Sequence, residues 1–208
     1  MVDHALRRTR TVTRPARGGI VAPMKRSDIL GAVLAGGQSS RFGSDKALAR
    51  LDGATLLELA VARLASWCGA VVVVGRGEGT VPVVADWPGP GMGPLGGIAG
   101  ALRHAREQGF AAVLTCGVDS PGLPDALPAL LAPGPSYVAD QPVIALWPVS
   151  AADTVAAILR GSGRHSMLAL AEATGARRVV LPCPTVNVNR PEDLAALRGQ
   201  PPAPDPAG

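Results

Sequence analysis

Aromatic residues are nearly missing from this chain, with two Phe, three Trp and one Tyr in 208 residues. Its core must therefore be filled by Ala, Val, Leu and Ile. No basic face interleaved with aromatic rings is present, so the sequence gives no footprint of a nucleic-acid partner. Lysine is scarcer still: Lys25 and Lys46 stand against eighteen arginines. Cysteine is limited to Cys68, Cys116 and Cys183. They are far apart and form no CxxC or Cys/His pair, which argues against a disulfide framework or a zinc site and predicts buried free thiols. No apolar run approaches the ~18 residues of a membrane span. Arg7-Arg8 is followed by Arg10, Arg14, Pro15 and Arg17 where an export signal needs an apolar stretch, so a cytoplasmic location and no membrane partner are expected.

Apolar residues make up 47% of the chain, enough for one folded domain with a single core. The formal charge of +4 is unevenly placed. Residues 1–27 hold seven of the 20 Lys/Arg and one of the 16 Asp/Glu, so they carry +6 and the remainder carries −2. Residues 1–27 are thus expected to be a disordered basic extension, with Met24 an alternative start. Residues 28–198 form the predicted domain. Residues 199–208, with four prolines, read as a disordered tail.

Within 28–198, short apolar runs alternate with helical patterns. Strands are predicted at 29–35, 71–74, 81–84, 111–116, near 137, at 143–147 and at 178–181. Helices are predicted from Thr55, whose capping box closes with Glu58, and at 95–108, 125–131, 151–159, 165–174 and 191–197. Strands apolar on both faces and separated by helices imply an α/β fold with a mostly parallel sheet covered on both sides. In such sheets ligands sit beyond the C-terminal strand ends. Loops 36–46, 86–97 and 117–121 all follow strands there.

The first of those loops carries the strongest signal, Leu34-Ala-Gly-Gly-Gln-Ser-Ser-Arg-Phe-Gly-Ser-Asp-Lys46. Gly36 and Gly37 allow close backbone approach to a ligand. Successive amides suit phosphate or base oxygens. Arg41 offers a planar fork and Lys46 a compact charge. The spacing is neither a Walker A loop nor GxGxxG. A lone body lysine in an arginine-rich chain marks Lys46 as chosen for its chemistry. Asp119, at a strand end before Ser120-Pro121, is a hard carboxylate suited to Mg²⁺ or an ordinary turn residue. Asn187 and Asn189, two apart on an extended segment, face the same way and can bond a polar ligand or make a turn before Pro191. His104 and His165 lack partners at ligand spacing and are read as surface or capping residues.

The loop from Leu34 to Lys46 resembles the LAGGxSxRxGxDK signature of the molybdenum cofactor guanylyltransferases, within the wider nucleotidyltransferase group. The likeness continues through Val84-Ala-Asp86, Gly93-Pro-Leu-Gly-Gly-Ile98, Val118-Asp119-Ser-Pro121 and Val186-Asn-Val-Asn189-Arg-Pro-Glu-Asp-Leu194, covering residues 29–197. It implies a three-layer, Rossmann-like nucleotidyltransferase fold that moves GMP from GTP to a molybdopterin-type cofactor. It further implies that Leu34, Ala35, Gly36 and Gly37 contact the nucleotide. Lys46 would hold the triphosphate, assisted by Arg41, and Asp86 would sit on the nucleotide. Asp119 would bind Mg²⁺ bridging the phosphates, and Asn187 and Asn189 would face the acceptor. Transient contacts with proteins that deliver or receive the molybdenum cofactor are also implied. A cytidylyltransferase on the same acceptor, a related transferase with another acceptor, and a nucleotide-binding accessory protein are the alternatives. The chain departs from the pattern at Phe42, where Met is usual, at Gly75, where some members carry a polar side chain, and over 133–143, which is short.

Overall fold

Alternate residues along the first strand point into two different cores: Ile29 and Val33 into one, Leu30 and Ala32 into the other. Such alternation, with both faces buried, is what a sheet between two helical layers requires. The computed structural model describes residues 24–36, 45–183 and 185–197. In chain order its elements are β1 (Ile29–Leu34), β2 (Arg50–Leu51), β3 (Ala54–Thr55), α1 (Leu56–Trp67), β4 (Ala70–Val74), β5 (Val83–Val84) and α2 (Gly93–Glu107). Then follow β6 (Ala112–Gly117), α3 (Leu127–Leu131), β7 (Ser136–Val138), β8 (Ala145–Pro148), α4 (Ala151–Arg160), α5 (Met167–Thr174), β9 (Arg177–Val179) and α6 (Pro191–Leu197).

Seven strands form the central sheet in the order β5-β4-β1-β6-β8-β7-β9. Only β8 runs against its neighbours β6 and β7; the other pairings are parallel. Leu57 and Leu64 of α1 and Leu127 and Leu131 of α3 fill one face. Leu95, Ile98 and Leu102 of α2, Val155 of α4 and Leu170 of α5 fill the other. The fold is therefore the expected three-layer α/β architecture. The Asp52-Gly53 turn joins β2 to β3 in a small hairpin that the apolar pattern did not announce.

Local chemistry sets the element ends. Thr55 Oγ1 accepts from the Glu58 amide at 3.1 Å and Glu58 returns the bond to the Thr55 amide at 2.7 Å. This is the predicted capping box, and its hydrogen bonds hold the Glu58 carboxyl below its ordinary value. The strand expected at 81–84 shortens to two residues, because Val81 lies in the turn before Pro82. Cys68 and Cys116 are buried, but Cys183 is exposed. Burial pushes the Cys68 thiol up to about 12 and Cys116 further up, so both stay protonated and unreactive at neutral pH.

Residues 24–27, placed by the sequence in the basic extension, are among the described residues. Met24 packs against the core, and Arg26 Nε donates to the Cys68 carbonyl at 2.9 Å. Residues 1–23 and 198–208 lie outside the described residues, as do Gly37 and Arg41. Among the described residues no helix is long and apolar enough to cross a membrane.

Candidate active site

The chain leaves β1 toward β4 and β5 on one side, then returns past β1 to β6 on the other. The C-terminal ends of β1, β4 and β6 therefore border a crevice, the place where open α/β sheets bind ligands. Two adjoining hollows occupy it. A cleft of about 700 Å³ is lined by Leu34, Gly36, Gly75, Arg76, Asp86 and Pro94 among others. A smaller hollow of about 120 Å³ is lined by Leu34, Pro94, Gly117, Val118, Asp119 and Val143. Leu34 and Pro94 border both, so the two lie side by side.

Glycines shape the large cleft. Gly75 has φ +81°, and its Cα lies so close to Gly36 that a Cβ would stand 2.6 Å from the Gly36 Cα. That explains the missing polar side chain at Gly75: neither the backbone angle nor the neighbouring strand end permits one. A Cβ on Gly97 would stand 3.6 Å from Asp86 Oδ1, and one on Gly75 would stand 3.7 Å from it. The Asp86 carboxylate thus packs at ordinary contact distance from both glycine positions. Its partial burial raises its pKa above the ordinary aspartate value. Ala35 is fixed by its amide, which donates to the Val74 carbonyl at 2.9 Å.

Lys46 is brought to the second hollow by a turn fixed from two sides. Asp45 caps the 3₁₀ turn Lys46–Leu48, accepting from the Ala47 amide at 3.1 Å. Its other oxygen pairs with Arg76 Nη1 at 2.7 Å. The Lys46 ammonium then lies 3.5 Å from Asp119 Oδ2 and donates to Asn189 Oδ1 at 3.3 Å. Its side chain is 12% exposed, that of Asp119 29%. These are long contacts for charged groups, so neither partner uses up the ammonium's capacity to bind an anion on its open side.

Asp119 follows β6 directly, and a Cβ at Gly117 would lie 2.4 Å from its Oδ1. Glycine there is what lets the carboxylate fold back over the strand end. The Val188 amide donates to the Asp119 carbonyl at 2.8 Å, tying the C-terminal segment to this loop. Val188 itself is buried with Leu51, Leu56 and Leu194. Asp193, in the first turn of α6, accepts from the amides of Asn189 at 2.7 Å and Arg190 at 2.8 Å. Those bonds hold its carboxyl below the ordinary value and fix Asn189 opposite Lys46.

The structure thus joins Lys46, Asp119 and Asn189 at one point, and Leu34, Gly36 and Asp86 around the adjoining cleft. Asn187 is exposed, and its side chain makes no hydrogen bond among the described residues. Of the two asparagines only Asn189 meets Lys46. Arg76 was missed by the sequence reading. A charged residue between two glycines at the end of a parallel strand was the available signal. Its Nε is buried with no partner among the described residues.

Among the described residues no three His, Cys, Asp or Glu side chains gather as a metal cluster. One carboxylate beside a lysine suits a hard divalent cation that keeps most of its ligands as water and phosphate oxygens. An all-protein metal cage is not what these residues build.

The model of the MobA-like NTP transferase domain matches residues 31–188. The chain is 35% identical over 184 residues to a molybdenum cofactor guanylyltransferase of Acidiphilium cryptum, covering 82% of this chain and 94% of that one. It is 34% identical to one of Rhodobacter capsulatus, covering 80% and 93%. Molybdopterin-guanine dinucleotide biosynthesis protein A of Archaeoglobus fulgidus superposes with a TM-score of 0.65 at 22% identity, over 81% and 96% of the chains. A 2-C-methyl-D-erythritol 4-phosphate cytidylyltransferase of Thermus thermophilus superposes at 0.53 with 16% identity, over 80% and 96%. Proteins named for guanylyl and for cytidylyl transfer thus share this fold, and the fold alone does not choose the base.

Proposed function

This chain belongs to the MobA-like NTP transferase family, and we propose on that premise that it transfers GMP from GTP to a molybdopterin-type molybdenum cofactor in the cytoplasm. A terminal phosphate oxygen of the acceptor forms a bond to the α-phosphorus while the bond from that phosphorus to the α–β bridging oxygen breaks, and pyrophosphate leaves. The observation that carries the reading is Lys46 Nζ 3.5 Å from Asp119 and 3.3 Å from Asn189, beside a hollow that adjoins a cleft of about 700 Å³.

Each residue has a role that follows from its place. Lys46 neutralises charge growing on the leaving pyrophosphate, and positioning plus such charge compensation supplies most of the catalysis in phosphoryl-type transfer. Asp119 would hold Mg²⁺, which when bound screens the phosphate oxygens. Asn189 faces the acceptor side, with Asn187 nearby. Arg41 and the amides around Gly37 would complete the phosphate cradle. Asp86 supports guanine: its two oxygens can accept from the adjacent N1–H and N2–H donors, which cytosine lacks. Transient contacts with proteins that deliver or receive the cofactor belong to the same reading.

Pyrophosphate release measured with each of the four NTPs, with and without molybdopterin, tests it. Release confined to GTP plus acceptor is expected; preference for CTP, or nucleotide binding without release, overturns the reading. Lys46→Ala is expected to cut turnover by at least about a hundredfold while nucleotide binding weakens far less. An active Lys46→Ala variant would remove Lys46 from the mechanism.

A further inference from the structure

Behind Asp119 runs a line of polar side chains that the transfer step leaves unused. Ser120 and Gln141 are each 7% exposed. Ser120 Oγ lies 3.3 Å from Asp119 Oδ1 and is hydrogen-bonded to the nearer Gln141 Oε1. Gln141 Nε2 donates to Thr185 Oγ1 at 2.6 Å, and the Thr185 hydroxyl donates to Asp140 Oδ2 at 3.0 Å. Ser120 and Gln141 are buried and must satisfy one another, whereas Thr185 is half-buried and Asp140 is exposed to water.

The two contacts of the Gln141 amide set the direction of the line. Each hydroxyl has one proton, and the Asp140 carboxylate can only accept. Thr185 gives its proton to Asp140 and receives the Gln141 amide N–H. That orientation turns the Gln141 carbonyl toward Ser120. The single Ser120 proton then goes to Gln141. Reversing the amide would donate an N–H to Ser120, send the Ser120 proton to Asp119 Oδ1, and turn the Thr185 proton to Gln141, leaving the exposed Asp140 to water.

We propose that Gln141 is a positioning residue that draws the Ser120 hydroxyl proton away from Asp119, keeping the Asp119 carboxylate fully available to a divalent cation. A hydroxyl bonded to a carboxylate oxygen occupies a lone pair and part of its charge, so it competes with a metal ion for that oxygen. The inference rests on the reading of Asp119 as the cation ligand. It concerns the 133–143 segment, where the chain is short and Gln141 sits in the turn between β7 and β8.

Mn²⁺ is the probe, titrated into the full chain with GTP present. Protein-bound ion is read by electron paramagnetic resonance, and half-saturating Mn²⁺ for pyrophosphate release is read alongside. Gln141→Met, similar in volume but unable to take the proton, is expected to weaken Mn²⁺ binding about tenfold. Adding Ser120→Ala to it removes the competing proton and is expected to bring affinity back to within about twofold of the parent. Ser120→Ala alone stays near the parent. If Gln141→Met does not fold, Thr185→Val frees the amide to reverse and is expected to weaken Mn²⁺ in the same direction, again relieved by Ser120→Ala. Unchanged Mn²⁺ affinity, or a loss that Ser120→Ala does not relieve, overturns the proposal and leaves Gln141 a packing residue. Asp119→Asn separates the premise: if it binds Mn²⁺ as the parent does, the cation reading of Asp119 fails and this inference falls with it.

Discussion

Gly75 and Gly77 flank Arg76 at the mouth of the large cleft, yet they answer to different constraints. At Gly75 a positive φ combines with a backbone neighbour 2.6 Å from any Cβ, whereas a Cβ on Gly77 meets nothing within 4 Å. Gly75→Ala must therefore push the end of β4 away from Gly36. It is expected to lower unfolding free energy by about 1–3 kcal/mol and raise the KM for GTP. Gly77→Ala should be neutral or slightly stabilising, by up to about 1 kcal/mol, through the unfolded chain alone. Urea unfolding of the two variants checks the contrast. Asp86 gives a prediction of opposite sign. Burial makes the folded chain hold this proton more tightly than the unfolded chain does. Stability is therefore lost as pH rises from the unfolded value through the raised folded one, and regained on acidification. Asp86→Asn is expected to raise Tm at neutral pH, with the gain closing as pH falls through that window. The same variant should lose preference for GTP, because a site built to pair two donors discriminates through them. A Tm that drops at neutral pH would show that Asp86 is a stabilising residue instead.

Helix α2 carries the clearest conflict between local preference and packing. Gly96, Gly97 and Gly100 all lie in its first half, where alanine would favour the helix by about 1 kcal/mol each. A Cβ on Gly100, however, would lie 2.2 Å from the Ala85 carbonyl oxygen, and that backbone leads straight into Asp86. Gly100→Ala is expected to destabilise on balance by about 1–2 kcal/mol and to displace Asp86, raising the KM for GTP; denaturant midpoints and initial rates read both effects. Such helix–strand contact explains what was readable beforehand and what was not. The α1 start was legible because Thr55 and Glu58 interact across three residues, and the strand positions because Val and Leu runs need burial on two faces. The antiparallel direction of β8 was not legible, since an apolar run reads the same in either direction. The β2–β3 hairpin has only two residues per strand, too few to show a period. Lys46 and Asp119 lie 73 residues apart, beyond any spacing rule, and it was the resemblance that put both on one triphosphate. The Ser120–Gln141–Thr185 line was invisible for the same reason: its members are ordinary polar residues until three loops bring them together.

Charge is divided along the whole molecule much as function is. The family match ends at residue 188 and begins at 31, enclosing every proposed site residue except Asn189, while the positive charge lies ahead of it. Removing residues 1–23 deletes five arginines and one aspartate and takes the formal charge from +4 to 0. Arg26 anchors the chain beside Cys68, just before β1 starts at Ile29, and the site lies past Leu34 at the other end of that strand. Five strand steps separate the two by about 17 Å, roughly two Debye lengths at physiological salt. The charge of Arg26 itself is thus screened from the cleft at the opposite end of the strand. The truncated chain is expected to keep kcat/KM for GTP within about twofold of the full chain at physiological ionic strength. A loss confined to low salt would mean that the extension steers the anionic nucleotide toward the cleft. A loss that persists at high salt would mean that one of residues 1–23 supplies a contact to the site, because direct contacts survive screening and long-range attraction does not.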